Sequence, residues 1–146
     1  MKTIQILNTL IQINNDRIAG YIKAAWQTSD EDLLSLFTGM ASQSRQFINE
    51  LRQFVKNQGD QPAKGTTLIG KIYRFWMELK AIFRGDSRKS LLTFCEYGEH
   101  LAQRTYNSVL KRADVTKDIR FAIETQKFSL QESHEKIKVI RDAQPA

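Results

Sequence analysis

The sequence predicts an all-α protein, a four-helix bundle whose two halves are tied by one long crossover. Three observations point there. The 146 residues hold two prolines, Pro62 and Pro145, and seven glycines. That is sparse for an all-β chain, which needs a turn every 8–12 residues or so. Apolar residues recur every third or fourth position through four long stretches, the period of a helix with one buried face. Two of the three breaks between those stretches are short, and the third spans about 30 residues, long enough to return along a bundle. At this length one domain with one core is expected over residues 1–146.

The first helix is expected over about 3–27. Ile4, Leu7, Leu10, Ile11, Ile18, Tyr21, Ile22 and Ala25 share one face. Ser29, followed by Asp30, Glu31 and Asp32, reads as the cap of a second helix, since acids suit the positive end of the helix dipole. That helix runs over about 30–57 and turns Leu33, Leu34, Phe37, Met40, Ala41, Phe47, Ile48, Leu51, Phe54 and Val55 inward. Gly59, Pro62 and Gly65 make the clearest break.

A short amphipathic helix is expected over about 67–84, with Leu68, Ile72, Phe75, Trp76 and Leu79 on one side. Asp86 or Ser87 can cap the next long helix, about 87–112, whose inward face is Leu91, Leu92, Cys95, Gly98, Glu99, Ala102, Tyr106 and Val109. Asp114 then caps a last helix over about 115–143, with Ile119, Ile123, Gln126, Leu130, His134, Ile137 and Ile140 inward. Short turns make each hairpin antiparallel, and the crossover must travel the bundle's length. The result is an up-down-down-up arrangement.

Apolar residues are 41% of the chain and charged residues 26%, ordinary for a folded soluble protein and far from the composition of disorder. The net charge of +6 is a mild excess that permits weak attraction to anionic partners. No segment has the length of apolar sequence needed to span a bilayer, and the opening lacks the continuous apolar run of a secretory signal. The single cysteine, Cys95, excludes an internal disulfide and fits a reducing compartment, so a cytoplasmic protein is expected. Cys95 reads as a small core residue. No Ser-His-Asp set, phosphate loop or nucleotide fingerprint is present, which argues against classical hydrolase or nucleotide chemistry.

Five segments then bear on kinship. They are LNTLIQINNDRIAGYIKAA, LLSLFTGMASQSRQFINELRQFV, KIYRFWMELKAIFRGD, CEYGEHLAQRTYNSVL and LQESHEKIKVIRDA. In content, order and spacing the chain resembles a family of small bacterial ferritin-like proteins carrying a domain of unknown function. The resemblance implies a ferritin-like bundle and a link to stress or surface-associated conditions. It implies no settled activity.

Ferritin-like di-iron sites take Glu from two helices and Glu-x-x-His from each of the other two. No Glu-x-x-His occurs in this chain, and the first helix has only Asp16 as an acid. The last helix offers Gln131 before His134, a neutral amide where a carboxylate is needed. A full di-iron site is therefore not expected. A reduced site holding a single divalent metal would draw on Glu99 and His134, with Glu96 one turn earlier. The blander reading places Glu99, His134, Tyr21, Tyr106 and Gln126, with Gln131 nearby, in a buried hydrogen-bonded network, because a buried carboxylate requires partners. His100, four residues after Glu96, is expected to pair with it.

Basic residues interleave with aromatics in the crossover. Lys71, Arg74, Lys80 and Arg84 form an edge that suits an anionic membrane, a nucleic-acid backbone or a protein partner, while packing against the bundle explains the same pattern. No specific nucleic-acid motif accompanies it. Side-by-side pairing of two copies is a further expectation. The sequence favours a non-catalytic bundle that acts by binding, with a reduced metalloprotein and a peripheral anionic-surface binder as the alternatives. No cofactor is required by the first of these.

Overall fold

The computed structural model describes residues 2–59, 62 and 88–145. They form four helices: α1 (Thr3–Trp26), α2 (Glu31–Asn57), α3 (Arg88–Arg112) and α4 (Lys117–Asp142). No strand occurs among the described residues. No helix there is long and apolar enough to cross a membrane. The expected short helix over 67–84, and the basic edge Lys71, Arg74, Lys80 and Arg84 on it, lie outside the described residues.

Side-chain contacts fix the helix directions. Arg88, at the start of α3, bonds Asp30 at 2.9 Å and Asp32 at 2.9 Å and 3.0 Å, at the start of α2. The two helices therefore begin at the same end and run parallel. The end of α2 and the start of α3 thus lie at opposite ends of the bundle, about 40 Å apart at 1.5 Å per residue. Asn14 meets Tyr106 and Arg17 meets Glu99, so α1 and α3 are antiparallel. Gln43 meets Ser133 and Glu50 meets Gln126, so α2 and α4 are antiparallel too. Helices α1 and α2 pack most closely, α2 and α4 least closely among the neighbouring pairs, and α1–α4 and α2–α3 are the diagonals. The order up-down-down-up follows.

The ends differ from expectation in detail. Asp30, not Ser29, is the N-cap residue of α2, and its side chain caps nothing because Arg88 takes its carboxylate. Thr116, not Asp114, precedes α4, and its hydroxyl bonds Asp118. At the far end of α2, Gly59 takes φ +77°, and its N–H reaches the Lys56 carbonyl at 2.9 Å. A left-handed residue there satisfies an orphaned helix carbonyl without a Cβ penalty.

Apolar burial is divided along the bundle axis. One cluster joins Ile6, Leu7, Leu10, Leu51, Val55, Val109, Ile119, Ile123 and their neighbours. The other joins Ala24, Leu33, Phe37, Leu91, Leu92 and Ile137. Each fully buried leucine or isoleucine contributes about 1.5–3 kcal/mol from its removal from water. Polar side chains from all four helices fill the level between the two clusters, and it is this level that the fold positions.

Candidate functional site

Eight side chains make one hydrogen-bonded string across the bundle. Asn14 and Ser44 lie on the apolar stripes of α1 and α2, and Arg17 sits one turn before Tyr21. All four helices contribute. Glu99 is 0% exposed and Arg17 5%. Arg17 places Nε and Nη2 on Oε1 of Glu99, each at 2.8 Å. The Tyr21 hydroxyl donates to the same oxygen. Arg17 Nη1 donates to Ser44 Oγ at 2.8 Å and to the Met40 carbonyl at 3.2 Å. Its guanidinium carbon lies 5.3 Å from the Tyr21 ring centre, a cation–π distance.

The string continues with every donor facing the same way. Ser44 donates to Asn14 Oδ1 at 2.9 Å. Asn14 Nδ2 donates to the Tyr106 hydroxyl at 2.8 Å, and Tyr106 donates to Gln126 Oε1 at 2.6 Å. Gln126 Nε2 donates to Glu50 at 2.7 Å, at the surface of α2. Aligned dipoles polarise one another, so the bonds strengthen together. A cation heads the string and a carboxylate ends it.

Charge states follow from these neighbours. Burial opposes the Arg17 charge, but Glu99 and the two tyrosines outweigh it and hold the guanidinium more firmly protonated than usual. Burial, then the Glu99 charge, pushes the Tyr21 phenol well above its ordinary value, so it remains a donor. Tyr106 is raised chiefly by burial. The Cys95 thiol is pushed well up, first by burial and then by Glu99. It is therefore a buried thiol and no nucleophile.

The second cluster is at the α3–α4 surface. His134 Nε2 faces Glu96 Oε1 at 3.0 Å, and Nδ1 faces Gln103 Oε1 at 3.2 Å. Gln103 Nε2 donates to the Leu130 carbonyl at 3.2 Å, which orients the amide. Arg141 Nη1 takes the other oxygen of Glu96 at 3.2 Å.

The expected site residues are thus brought together only in part. Tyr106 and Gln126 share the string, and Tyr21 and Glu99 join it through Arg17. His134 does not join them. It reaches Glu96, one turn from Glu99, and sits at the half-buried rim. Gln131 is exposed and belongs to no network. His100 does not pair with Glu96, whose oxygens are taken by His134 and Arg141. Instead its ring meets the His134 ring edge-on, with centres 6.3 Å apart. The reason is helix register: three residues along α3 turn the side chain by about 60°, enough to take it from centre to rim.

Sequence reading missed Arg17, Asn14, Ser44 and Glu50. A signal existed for two of them. Asn14 and Ser44 interrupt otherwise apolar stripes, and a buried polar residue is the informative exception.

A metal between the helices does not fit these residues. Glu99 Oε1 already accepts three donors, and although Oε2 has no hydrogen-bond partner, the Arg17 guanidinium that neutralises this carboxylate would repel a dication. Among the described residues no three His, Cys, Asp or Glu side chains converge on a point.

The model of a domain of unknown function (DUF2383) matches residues 2–112. No curated protein matches. Solved structures share the fold, two mycobacterial ones among them. The conserved hypothetical protein Rv2844 of Mycobacterium tuberculosis superposes with a TM-score of 0.78 at 14% identity, covering 99% of this chain and 93% of its own. A Dps1 mutant of Mycobacterium smegmatis gives 0.74 at 12% identity, covering 95% and 94%.

Proposed function

This chain belongs to the family of domains of unknown function DUF2383, and from that premise we propose a non-catalytic ferritin-like bundle that acts by binding. Its ferritin-like centre is degenerate: a protein cation neutralises the one central carboxylate that metal chemistry would use. The single observation that carries this reading is the Arg17 guanidinium bonded twice to the buried Glu99 carboxylate. The chemical logic is charge balance. A buried carboxylate must be neutralised, and here an arginine does it permanently, because a guanidinium does not lose its proton. No cofactor is then needed for the bundle to hold its centre.

Binding leaves the surface as the working part, with a second copy of the chain as the first partner, in a homodimer. Cys95, sealed in the core, is compatible with a reducing cytoplasmic compartment.

Metal analysis tests the reading directly. Protein purified without chelator from medium supplemented with iron, manganese and zinc is expected to carry no more than about a tenth of an equivalent of any of them, far below a site that binds and folds with its metal. About one equivalent or more, lost in Glu99→Gln, overturns it.

A further inference from the structure

We propose that the outward face of α4 is the contact between two copies of this chain, packed antiparallel about a two-fold axis close to residues 130 and 131. This rests on the homodimer reading above and names its surface. Phe121, Phe128 and Val139 are 73%, 61% and 61% exposed. They are three of the five exposed large apolar side chains among the described residues, and all three lie on one helix. Their spacings of seven and eleven residues are close to whole turns, so they form one stripe about 27 Å long. That stripe faces away from Ile119, Ile123, Leu130 and Ile137, which hold α4 to the bundle. Helix α1 offers no comparable face: only Gln5 and Trp26 of its residues are exposed.

The flanking charges select the occupant. Parallel, in-register pairing sets each position near the stripe's centre on its own copy, so Glu132 would face Glu132, and it brings opposite flanks together. Antiparallel pairing sets each position opposite one whose number brings the sum to about 260. Phe121 then meets Val139 of the second copy. Lys117 meets Asp142, and Glu124 meets Lys138. The two-fold repeats each of these contacts. Residues on the same flank of the stripe meet in such a pair, and Lys117, Glu124, Lys138 and Asp142 share one flank on a 3.6-residue helix. One helix thus supplies both halves of an apolar seam and both signs of its charged edge, as a self-complementary two-fold interface requires. Glu135 also approaches Glu124 of the second copy, and Arg120 approaches Lys138, the like-charge contacts on this flank.

Sedimentation of the full chain over about 1–100 μM, the range of transient to moderate association, tests the proposal, with far-UV circular dichroism confirming the helices of each variant. A dimer is expected. Phe121→Glu with Phe128→Glu is expected to weaken it by at least about tenfold. Lys117→Glu weakens it, and adding Asp142→Lys restores it, which a merely structural role for either residue would not do. Gln131→Cys, level with the axis but on the flank of the stripe, is expected to be joined to its copy by a short bis-maleimide rather than a disulfide, since Cys95 is buried. A monomer throughout overturns both the homodimer reading and this surface. A dimer that survives the double glutamate change and gives no cross-link through position 131 leaves the homodimer standing and overturns this surface.

Discussion

Two carboxylates on α3, three residues apart, lead opposite lives. Glu99 is sealed in the centre and held by Arg17 and Tyr21. Glu96 sits at the rim, a quarter exposed, between His134 and Arg141. Both meet a basic partner at about 3 Å, so distance does not separate them. Solvent does. At the centre, losing a partner strands a charge in a medium that cannot solvate it. At the rim, water replaces the partner at small cost. The same interaction is therefore a structural requirement in one place and an ornament of the surface in the other.

The largest expected effect comes from breaking the central pair. Arg17→Ala should cost about 3–5 kcal/mol of stability in urea unfolding, because it leaves the buried Glu99 carboxylate without a counter-charge, with only the Tyr21 hydroxyl bonded to it. Changing both members, Arg17→Met with Glu99→Leu, should recover most of that loss, since two apolar side chains of similar volume need no neutralisation. A double variant as unstable as Arg17→Ala would show that the ion pair is not what the centre lacks.

Next in size is the middle of the string. Tyr106→Phe removes a hydroxyl that accepts from Asn14 and donates to Gln126. About 1–3 kcal/mol is expected, from the buried groups left without a partner. Unchanged unfolding midpoints would mean that the string's members are separately satisfied.

At the rim, His134→Ala is expected to cost only about 0.2–1 kcal/mol. Combined with Glu99→Leu, its effect should add within about 0.5 kcal/mol, because the two residues share no partner. A larger coupling in the double-mutant cycle would join the two sites that the geometry separates.

The smallest effect is a pH dependence at the end of the bundle. The Asp32 carboxyl is held below its ordinary value, first by hydrogen bonds from Arg88. Its folded value is depressed, so its contribution is fully present above the unfolded value, near 3.9, and is lost as pH falls through the folded value. Asp32→Asn should flatten the stability profile below about pH 4 and leave it unchanged near neutrality in shape. An identical acid limb in the variant would remove Arg88 and Asp32 from the account.

Much of this molecule was already written in residue order. Four helices, their ends within a residue or two, and the inward stripes follow from local periodicity, because a helix's buried face is fixed by its own 3.6-residue repeat. Tyr106, Gln126, Tyr21 and Glu99 were legible as polar residues facing inward for the same reason. What periodicity does not carry is the level at which two helices meet. Only the packed bundle decided that Arg17 rather than His134 would stand opposite Glu99, and that His134 would slide to Glu96 at the rim. Register between helices is set by how side chains from all four interlock, a sum over distant neighbours that no single stretch of sequence contains.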